Sequence, residues 1–513
     1  MNRLVGFGFW VFLSFQFSTA GKDIEKLSKP NVLFIAVDDM NDWIGVLGGY
    51  SGEVHTPNLE RLARLGMTFS NAHTASPVCC PSRTALLLGL RPSTTGIYNN
   101  GQWWRPHLPD AVSLPSYFRL HGYETIGAGK VFHHTAGFNP PDQWDNFLRL
   151  LFCDDPWFRG NRLNYPWSKH EEYPKGYPFS GLSGTSHEGD WGVIPDLEES
   201  ECDDSRTVDY VVRTLDQKRE KPFFLACGIF RPHLPWYAPR KYFDLYPIDE
   251  IQLPELNEKD LLDVPLQGIQ LSSARRNEFQ NIKKQGKWKE AIQAYLASIS
   301  FADAQLGRVL TALEESVYAD DTIIVLWSDH GWHLGEKNHW HKSTLWEEAT
   351  RIPFMVFVPG MTKGGARCQR PVDLICVYPT LVELCGLKPR RELDGVSIVP
   401  LLKNPEIEWK IPAVTEFKRG QCAVRSERFR YIRYSDGTEE LYDHLKDSNE
   451  WTNLAGKKSY RKVMEYLGRS IPKKFAPSAP SKSAYRFDHK TYSWVHKKTG
   501  KVTYGTSLSR FEN

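Results

Sequence analysis

The chain has 513 residues, 41% of them hydrophobic and 24% charged, with a formal net charge of +3. That length buries a sizeable core in one large domain with an appendage, and so small a net charge gives no reason to expect a nucleic-acid partner. The charge is uneven: residues 471–513 carry +7 and the rest −4, so this end either holds an anionic polymer or is a solvated tail.

The first twenty residues stand apart. Arg3 gives a positive start, Leu4 to Phe17 is an apolar run, and Ser18-Thr19-Ala20 has the small residues of a cleavage site. This reads as a secretory signal removed after Ala20, so the protein is expected to be exported, to a periplasm, a lysosome or the outside of the cell. No later stretch reaches about eighteen uninterrupted apolar residues, so no membrane span is expected after cleavage. The nine cysteines (79, 80, 153, 202, 227, 368, 376, 385 and 422) form no C-x-x-C pair, and their odd number leaves at least one unpaired.

Asn31-Val-Leu-Phe-Ile-Ala-Val37 has the length and continuous apolarity of a central parallel strand, and it ends on Asp38-Asp39. Two adjacent carboxylates at a buried strand end repel each other and are costly to desolvate unless a cation is present; on a solvated loop they would mean nothing. Thr56-Pro57 predicts a helix start, with Leu59, Leu62 and Leu65 as its stripe and Gly66 as its stop. Pro77-Val-Cys79-Cys80-Pro81-Ser82-Arg83 reads as a tight turn running into a short helix, with Ser82 and Thr84 placed to satisfy free amides and Gly89 ending it. A cysteine among those amides and beside Arg83 is expected to favour a thiolate or a bound oxyanion.

A helix near Leu114–Leu120 and a strand from Tyr123 to Gly129 deliver Lys130 and His133. Residues 134–200 are aromatic, Pro- and Gly-rich and aperiodic, as expected of a rim or lid. A helix over 203–215 precedes the strand 222–229, and Arg231-Pro-His233 follows that strand with its backbone fixed by proline. A long amphipathic helix over 287–315 leads to the strand 322–328, which ends in Asp329-His330-Gly331, with Glu336, His339, His341 and Lys342 close behind. The strand 352–358 and a helix over 372–387, interrupted near Pro379, complete an alternating pattern that predicts a doubly wound α/β domain. Short alternating strands from 414 to 443, with Asp436-Gly437 as a hairpin turn, and a helix near 460–467 predict a small C-terminal subdomain. Four strand ends thus send chemistry-bearing residues to one sheet edge, where ligands bind in open α/β sheets.

Cys79-x-Pro-Ser-Arg83 with Gly89 six residues later resembles the signature of the type I, formylglycine-dependent sulfatases. Asp38-Asp39, Lys130-x-x-His133, His233, Asp329-His330-Gly331, Lys342 and the closing Glu440-Leu-Tyr-Asp443 appear in that family's order. Asp-His-Gly and the run Gly331-Trp-His-Leu-Gly-Glu336 are more similar to its iduronate-2-sulfatase branch. The resemblance implies an alkaline phosphatase/sulfatase-like fold: a large mixed, mostly parallel sheet sandwiched by helices, with a small C-terminal antiparallel α+β subdomain. It places a catalytic domain at 21–400, the subdomain at 401–470 and a basic tail at 471–513.

It further implies that Cys79 is converted by a maturation enzyme to Cα-formylglycine. One oxygen of its hydrate then attacks sulfur, and the second expels sulfate and restores the aldehyde. By matching positions, Asp38, Asp39, Asp329, His330 and an oxygen at residue 79 hold one divalent cation. Ca²⁺ suits the hard oxygen donors and is preferred to Mg²⁺, although the His330 nitrogen is a softer ligand. Arg83 steadies the modified residue, Lys130 and Lys342 bind sulfate oxygens, His233 protonates the leaving alkoxide and His133 assists the second proton transfer. The expected substrate is a sulfated saccharide. Two competing readings are a phosphoesterase on the same fold and an inactive homologue that binds anionic glycans.

Overall fold

The computed structural model describes residues 29–148, 176–184, 189–195, 197–273 and 276–506. The expected signal segment, Cys153 and the middle of the 134–200 insertion lie outside the described residues.

In chain order, the elements that position the site are β1 (Asn31–Val37), α1 (Pro57–Leu65), β2 (Met67–Phe69), α2 (Cys79–Leu88), α3 (Leu114–Leu120), β3 (Glu124–Gly129), β4 (Asn146–Leu148), α4 (Asp203–Leu215), β5 (Phe223–Ile229), α5 (Trp288–Glu315), β6 (Thr322–Ser328), β7 (Phe354–Phe357), β8 (Ala366–Cys368) and α6 (Val377–Leu384). The strands form one eight-stranded sheet in the order β8-β2-β7-β6-β1-β5-β3-β4. The run β6-β1-β5-β3-β4 is parallel, whereas β7 pairs antiparallel with both β6 and β2. The sheet is therefore mixed and mostly parallel.

Helices cover both faces. Because successive strand residues point to opposite faces, β1 divides its side chains between two cores. Leu33, Ile35 and Val37 pack with α4 and the long helix α5, while Val32, Phe34 and Ala36 pack with α2, α3 and α6. Each such fully buried aliphatic side chain contributes about 1.5–3 kcal/mol. A strand buried on both faces has no room for alternation, which is why β1, β5 and β6 read as unbroken apolar runs.

Local details differ from the sequence expectations for identifiable reasons. Thr56 does not cap α1: its Oγ1 accepts from the Gly45 N–H (3.0 Å), and the Asp303 carboxylate of α5 takes the Asn58 (3.0 Å) and Leu59 (2.7 Å) amides instead. Helix α6 is not interrupted at Pro379. It starts at Val377, so the proline lies in the first turn, where its missing N–H costs no bond.

The C-terminal region forms an antiparallel sheet of β9 (Ala413–Glu416), β10 (Cys422–Arg425), β11 (Phe429–Arg433) and β12 (Glu439–Asp443), in that order. Helix α7 (Arg461–Gly468) packs Leu467 against Val424, Tyr431 and Leu441. The basic end is no solvated tail: β13 (Tyr485–Asp488), β14 (Ser493–His496) and β15 (Val502–Tyr504) make a further antiparallel sheet, with Trp494 buried in the main core. Among the described residues no helix is long and apolar enough to cross a membrane.

Candidate active site

The C-terminal ends of β1, β3, β5 and β6 meet the N-terminus of α2 at one sheet edge. Strand β1 delivers Asp38 and Asp39, and Asp39 sits in the left-handed region (φ 59°). Its N–H donates to Asp329 Oδ1 (3.1 Å), and the Tyr295 hydroxyl of α5 donates to its carbonyl (2.8 Å). Asp329 is held in turn by Thr74 Oγ1 and Ser82 Oγ, which both donate to its carbonyl. Ser82 is therefore a brace for Asp329 and not a helix cap. The cap of α2 comes from Asn100, whose Oδ1 accepts from the Cys80 N–H (2.9 Å).

Lys130 reaches the site because β3 and β5 approach unusually closely at their ends. A Cβ on Gly129 would lie 2.1 Å from the Gly228 carbonyl oxygen, and one on Gly228 would lie 2.3 Å from the Lys130 carbonyl carbon. Only glycine fits at either position.

Arg83 is fully buried and binds both flanking carboxylates, with Nη2 2.6 Å from Asp38 Oδ1 and Nε 2.9 Å from Asp329 Oδ2. Its Nη1 donates to the carbonyls of Lys130 and Val131. Arg83 thus positions the acidic groups, and its charge also interacts with Cys79. Lys130 Nζ donates to Asp38 Oδ2. Lys342 Nζ lies 2.7 and 2.8 Å from the two Asp39 oxygens and 3.1 Å from Cys79 Sγ.

His330 Nδ1 donates to the Gly331 carbonyl (3.2 Å), which fixes the tautomer and turns the Nε2 lone pair inward. That nitrogen faces Cys79 Sγ and Asp39 Oδ1, each at 3.3 Å, and Asp329 Oδ2 at 3.5 Å. His233 is arranged similarly, with Nδ1 donating to the Leu234 carbonyl (2.5 Å) and Nε2 3.7 Å from Asp39 Oδ2. Arg231 donates to the His233 carbonyl (3.2 Å) and so holds that loop, as the proline-bounded sequence suggested. His133 lies edge-on to Phe138 and 4.8 Å from its ring centre, with no hydrogen-bond partner at Nδ1 among the described residues.

Burial dominates the electrostatics. It pushes the Asp39 carboxyl up to about 7 against the pull of Lys342. Asp38 is raised by burial and by its neighbour Asp329, while Asp329 falls well below the carboxylate range because Arg83 and His330 outweigh its burial. Burial also raises the Cys79 thiol despite Lys342 and Lys130, and so works against the thiolate expected at this helix start. His133 and His233 are held neutral, first by burial and then by Lys130. Burial works against the Lys342 charge, but Asp39, Cys79, Asp38 and Asp329 together outweigh it and keep the ammonium protonated.

Asp39, Cys79, Asp329 and His330 each point one ligating atom to a common space, with those atoms within 4.8 Å of one another; Asp38, Asp39 and His233 form an adjoining set. The His330 Nε2 lone pair faces oxygens of both Asp39 and Asp329, and a hard divalent cation fits that donor set.

Asp38, Asp39, Cys79, Arg83, Lys130, His233, Asp329, His330 and Lys342 therefore lie together at one edge, and His133 adjoins them through the His134 ring. Sequence reasoning missed Thr74, Asn100 and Tyr295, which act through hydrogen bonds and carry no motif. It also missed His134, whose ring lies 5.8 Å from that of His233 and whose place beside His133 was the available signal. His339 and His341 are structural: His339 Nε2 donates to the Lys342 carbonyl (2.8 Å), and His341 pairs with Glu278 (2.8 Å).

A buried cysteine at a helix start, two lysines and converging acids at this sheet edge suit the binding of an anionic ester. The sulfatase family model matches residues 30–387, and the model of the C-terminal part of N-sulphoglucosamine sulphohydrolase matches residues 335–476. The chain belongs to the sulfatase family and is a sulfuric ester hydrolase. It is 40% identical to a sulfatase of Formosa agariphila, over 88% of both chains. It is 30% identical to the iduronate 2-sulfatase of Homo sapiens over 70% of this chain and 69% of that one. The phosphonate monoester hydrolase of Silicibacter pomeroyi shares the fold, with a TM-score of 0.70 at 20% identity, covering 90% of this chain and 98% of that one.

Proposed function

We propose that this sulfatase removes sulfate from a saccharide, at a site built around residue 79 after its conversion to formylglycine by a maturation enzyme. The observation that carries the reading is the setting of Cys79: its Sγ lies 3.1 Å from Lys342 Nζ and 3.3 Å from His330 Nε2, at the start of α2. An oxygen in place of that sulfur would stand among the same partners. The similarity to iduronate 2-sulfatase and the run Gly331–Glu336 support a sulfated sugar as substrate.

Formylglycine hydrate would supply a nucleophilic oxygen and a second hydroxyl for releasing sulfate, which a thiol cannot. Asp38, Asp39, Asp329 and His330 would hold Ca²⁺, which neutralises charge on the sulfate and the nucleophile. Lys130 and Lys342, now bound to Asp38 and Asp39, exchange one acceptor for another and take the sulfate oxygens. Arg83 keeps Asp38 and Asp329 in place.

His233 Nε2 faces the site from the loop after β5 and donates the proton to the departing alkoxide. Buried near two lysines it rests neutral, and the charge of the incoming sulfate favours its protonation. His133, with Nδ1 unpaired, takes up the second proton. The first twenty residues would direct export.

The peptide containing residue 79, from protein expressed beside a competent maturation enzyme, should have the mass of the aldehyde, and the enzyme should turn over p-nitrophenyl sulfate faster than p-nitrophenyl phosphate. An unmodified thiol in active protein, or a preference for phosphate, sinks the reading. His233→Ala should slow an unactivated sulfate ester by about 10²–10⁴-fold and the activated p-nitrophenyl ester much less.

A further inference from the structure

Past residue 476, beyond both family matches, the chain turns back onto the catalytic domain. The Ala476, Ala479 and Lys482 amides donate to the carbonyls of Ser93 (2.7 Å), Gly96 (2.8 Å) and Gly101 (2.6 Å). The Gln102 side chain donates to the Ala479 carbonyl (2.7 Å) and Ser478 Oγ (2.9 Å), and the Gln102 main-chain carbonyl accepts from Cys80 Sγ (3.5 Å). A Cβ at Gly96 would meet the Pro477 oxygen at 2.3 Å, so the approach is built into the sequence on both sides. Tyr485, Phe487 and Trp494 then close around Trp103, and the Tyr492 hydroxyl donates to the Asn139 carbonyl (2.7 Å). The segment is thus tied to the loop that follows the helix carrying residue 79.

Between this segment and the stretch just after His133 lies a cavity of about 720 Å³. Thr135 and Ala136 line one side, two and three residues past His133. Lys482, Arg486 and Lys497 line the other, with His489 and His496, and no Asp or Glu is among the described residues at its wall. Lys482 Nζ is 5.3 Å from the Phe138 ring centre, and that ring lies 4.8 Å from His133. A volume of this size holds one or two sugar units, and its cationic, aromatic wall matches an anionic one.

We propose that this cavity is a saccharide subsite for a second anionic sugar of the substrate, sulfated or carboxylated, while the sulfate to be cleaved lies at residue 79. The basic end of the chain would then be a specificity element that selects oligosaccharides over single sugars. The proposal rests on the reading of the site as acting on sulfated saccharides.

The test uses the full chain carrying Cys79→Ser, so that binding is read without turnover, titrated calorimetrically with a heparin-derived hexasaccharide and a heparin-derived disaccharide. Replacing Lys482, Arg486 and Lys497 together by Ala should lower the hexasaccharide-to-disaccharide affinity ratio at least about tenfold. The pair Arg486→Ala and Lys497→Ala, both at exposed positions, should lower it in the same direction and serves if the triple variant melts early. A remote pair, Lys218→Ala with Lys221→Ala, controls for general polyanion attraction. Carboxyl-reduced and desulfated hexasaccharides distinguish which anion is held. An unchanged ratio, a loss matched by the remote pair, or no preference of the parent protein for the hexasaccharide overturns the subsite. Failure of the catalytic reading shows separately, as no turnover of p-nitrophenyl sulfate by the matured enzyme.

Discussion

Two clusters of charge are buried in this protein, and they are resolved in opposite ways. One is the site around Asp38, Asp39 and Asp329. The other joins the C-terminal sheet to the catalytic domain: Glu347 pairs with Arg425 (3.2 Å) and Arg430, while Glu450 pairs with Arg430 (2.6 Å) and His444 (2.9 Å) and accepts the Glu347 N–H (3.0 Å). Burial works to raise both glutamates, but Arg425, His444 and Arg430 carry Glu347 well below its ordinary range, and Arg430 and His444 lower Glu450. In the catalytic cluster the same burial prevails over Lys342, and Asp39 rises to about 7. Guanidiniums already hold the glutamates of the C-terminal cluster ionised, so that cluster holds architecture; in the catalytic cluster burial leaves Asp39 raised despite Lys342, which makes it a place for a cation and an anionic ester to arrive together.

The contrast predicts that the catalytic cluster can be altered with large loss of rate and little loss of stability. With residue 79 as the proposed nucleophile, Cys79→Ala should lower turnover by at least about 10⁴-fold, with a melting temperature close to that of the parent protein. A melting temperature that collapses would show the site to be structural as well. The second cluster should behave the other way. Glu347→Gln leaves Arg425 and Arg430 facing a single carboxylate and should cost about 3–5 kcal/mol of stability, read by denaturant unfolding, with rate per folded molecule retained. If the cost falls below about 1 kcal/mol, the network is not what fastens the C-terminal sheet.

These two clusters were unequally legible in the sequence. Asp38-Asp39, Asp329-His330 and Lys130 follow directly on apolar strands, so the strand pattern alone brings them to one edge. Glu347, Arg425, Arg430 and Glu450 lie on a short helix, two edge-to-edge strands and a loop, with no shared motif; only the docking of two separate sheets makes them neighbours. The sheet β13–β15 was hidden for a related reason. Its lysines dominate the composition, while Tyr485, Phe487 and Trp494 that anchor it are few and become a core only against Trp103 from the other domain.

A divalent cation separates the clusters by a smaller energy. Ca²⁺ at about 100 times its dissociation constant should stabilise the parent protein by about 2.7 kcal/mol, read as a rise in melting temperature. Asp39→Asn should abolish that rise and leave Glu347→Gln still responsive; an equal response in all three would place the cation elsewhere.

The smallest increment, read per pH unit, is the pH dependence of the same Asp39 substitution in chelated protein. The folded pKa of Asp39 is raised, so its ionised form costs stability above about pH 7, and Asn should make the protein more stable there. As the pH falls from 7 toward the unfolded value near 4, Asp39 takes up its proton and the advantage of Asn should shrink by up to about 1.4 kcal/mol per pH unit. Glu347 and Glu450 are lowered, so their contribution is complete above the unfolded range near 4.3 and is lost only below it. Melting curves of the two proteins from pH 8 to pH 5 read the difference directly. A gap that stays constant over that range would mean that Lys342 alone keeps Asp39 ionised, and the catalytic cluster would then be as well satisfied as the structural one.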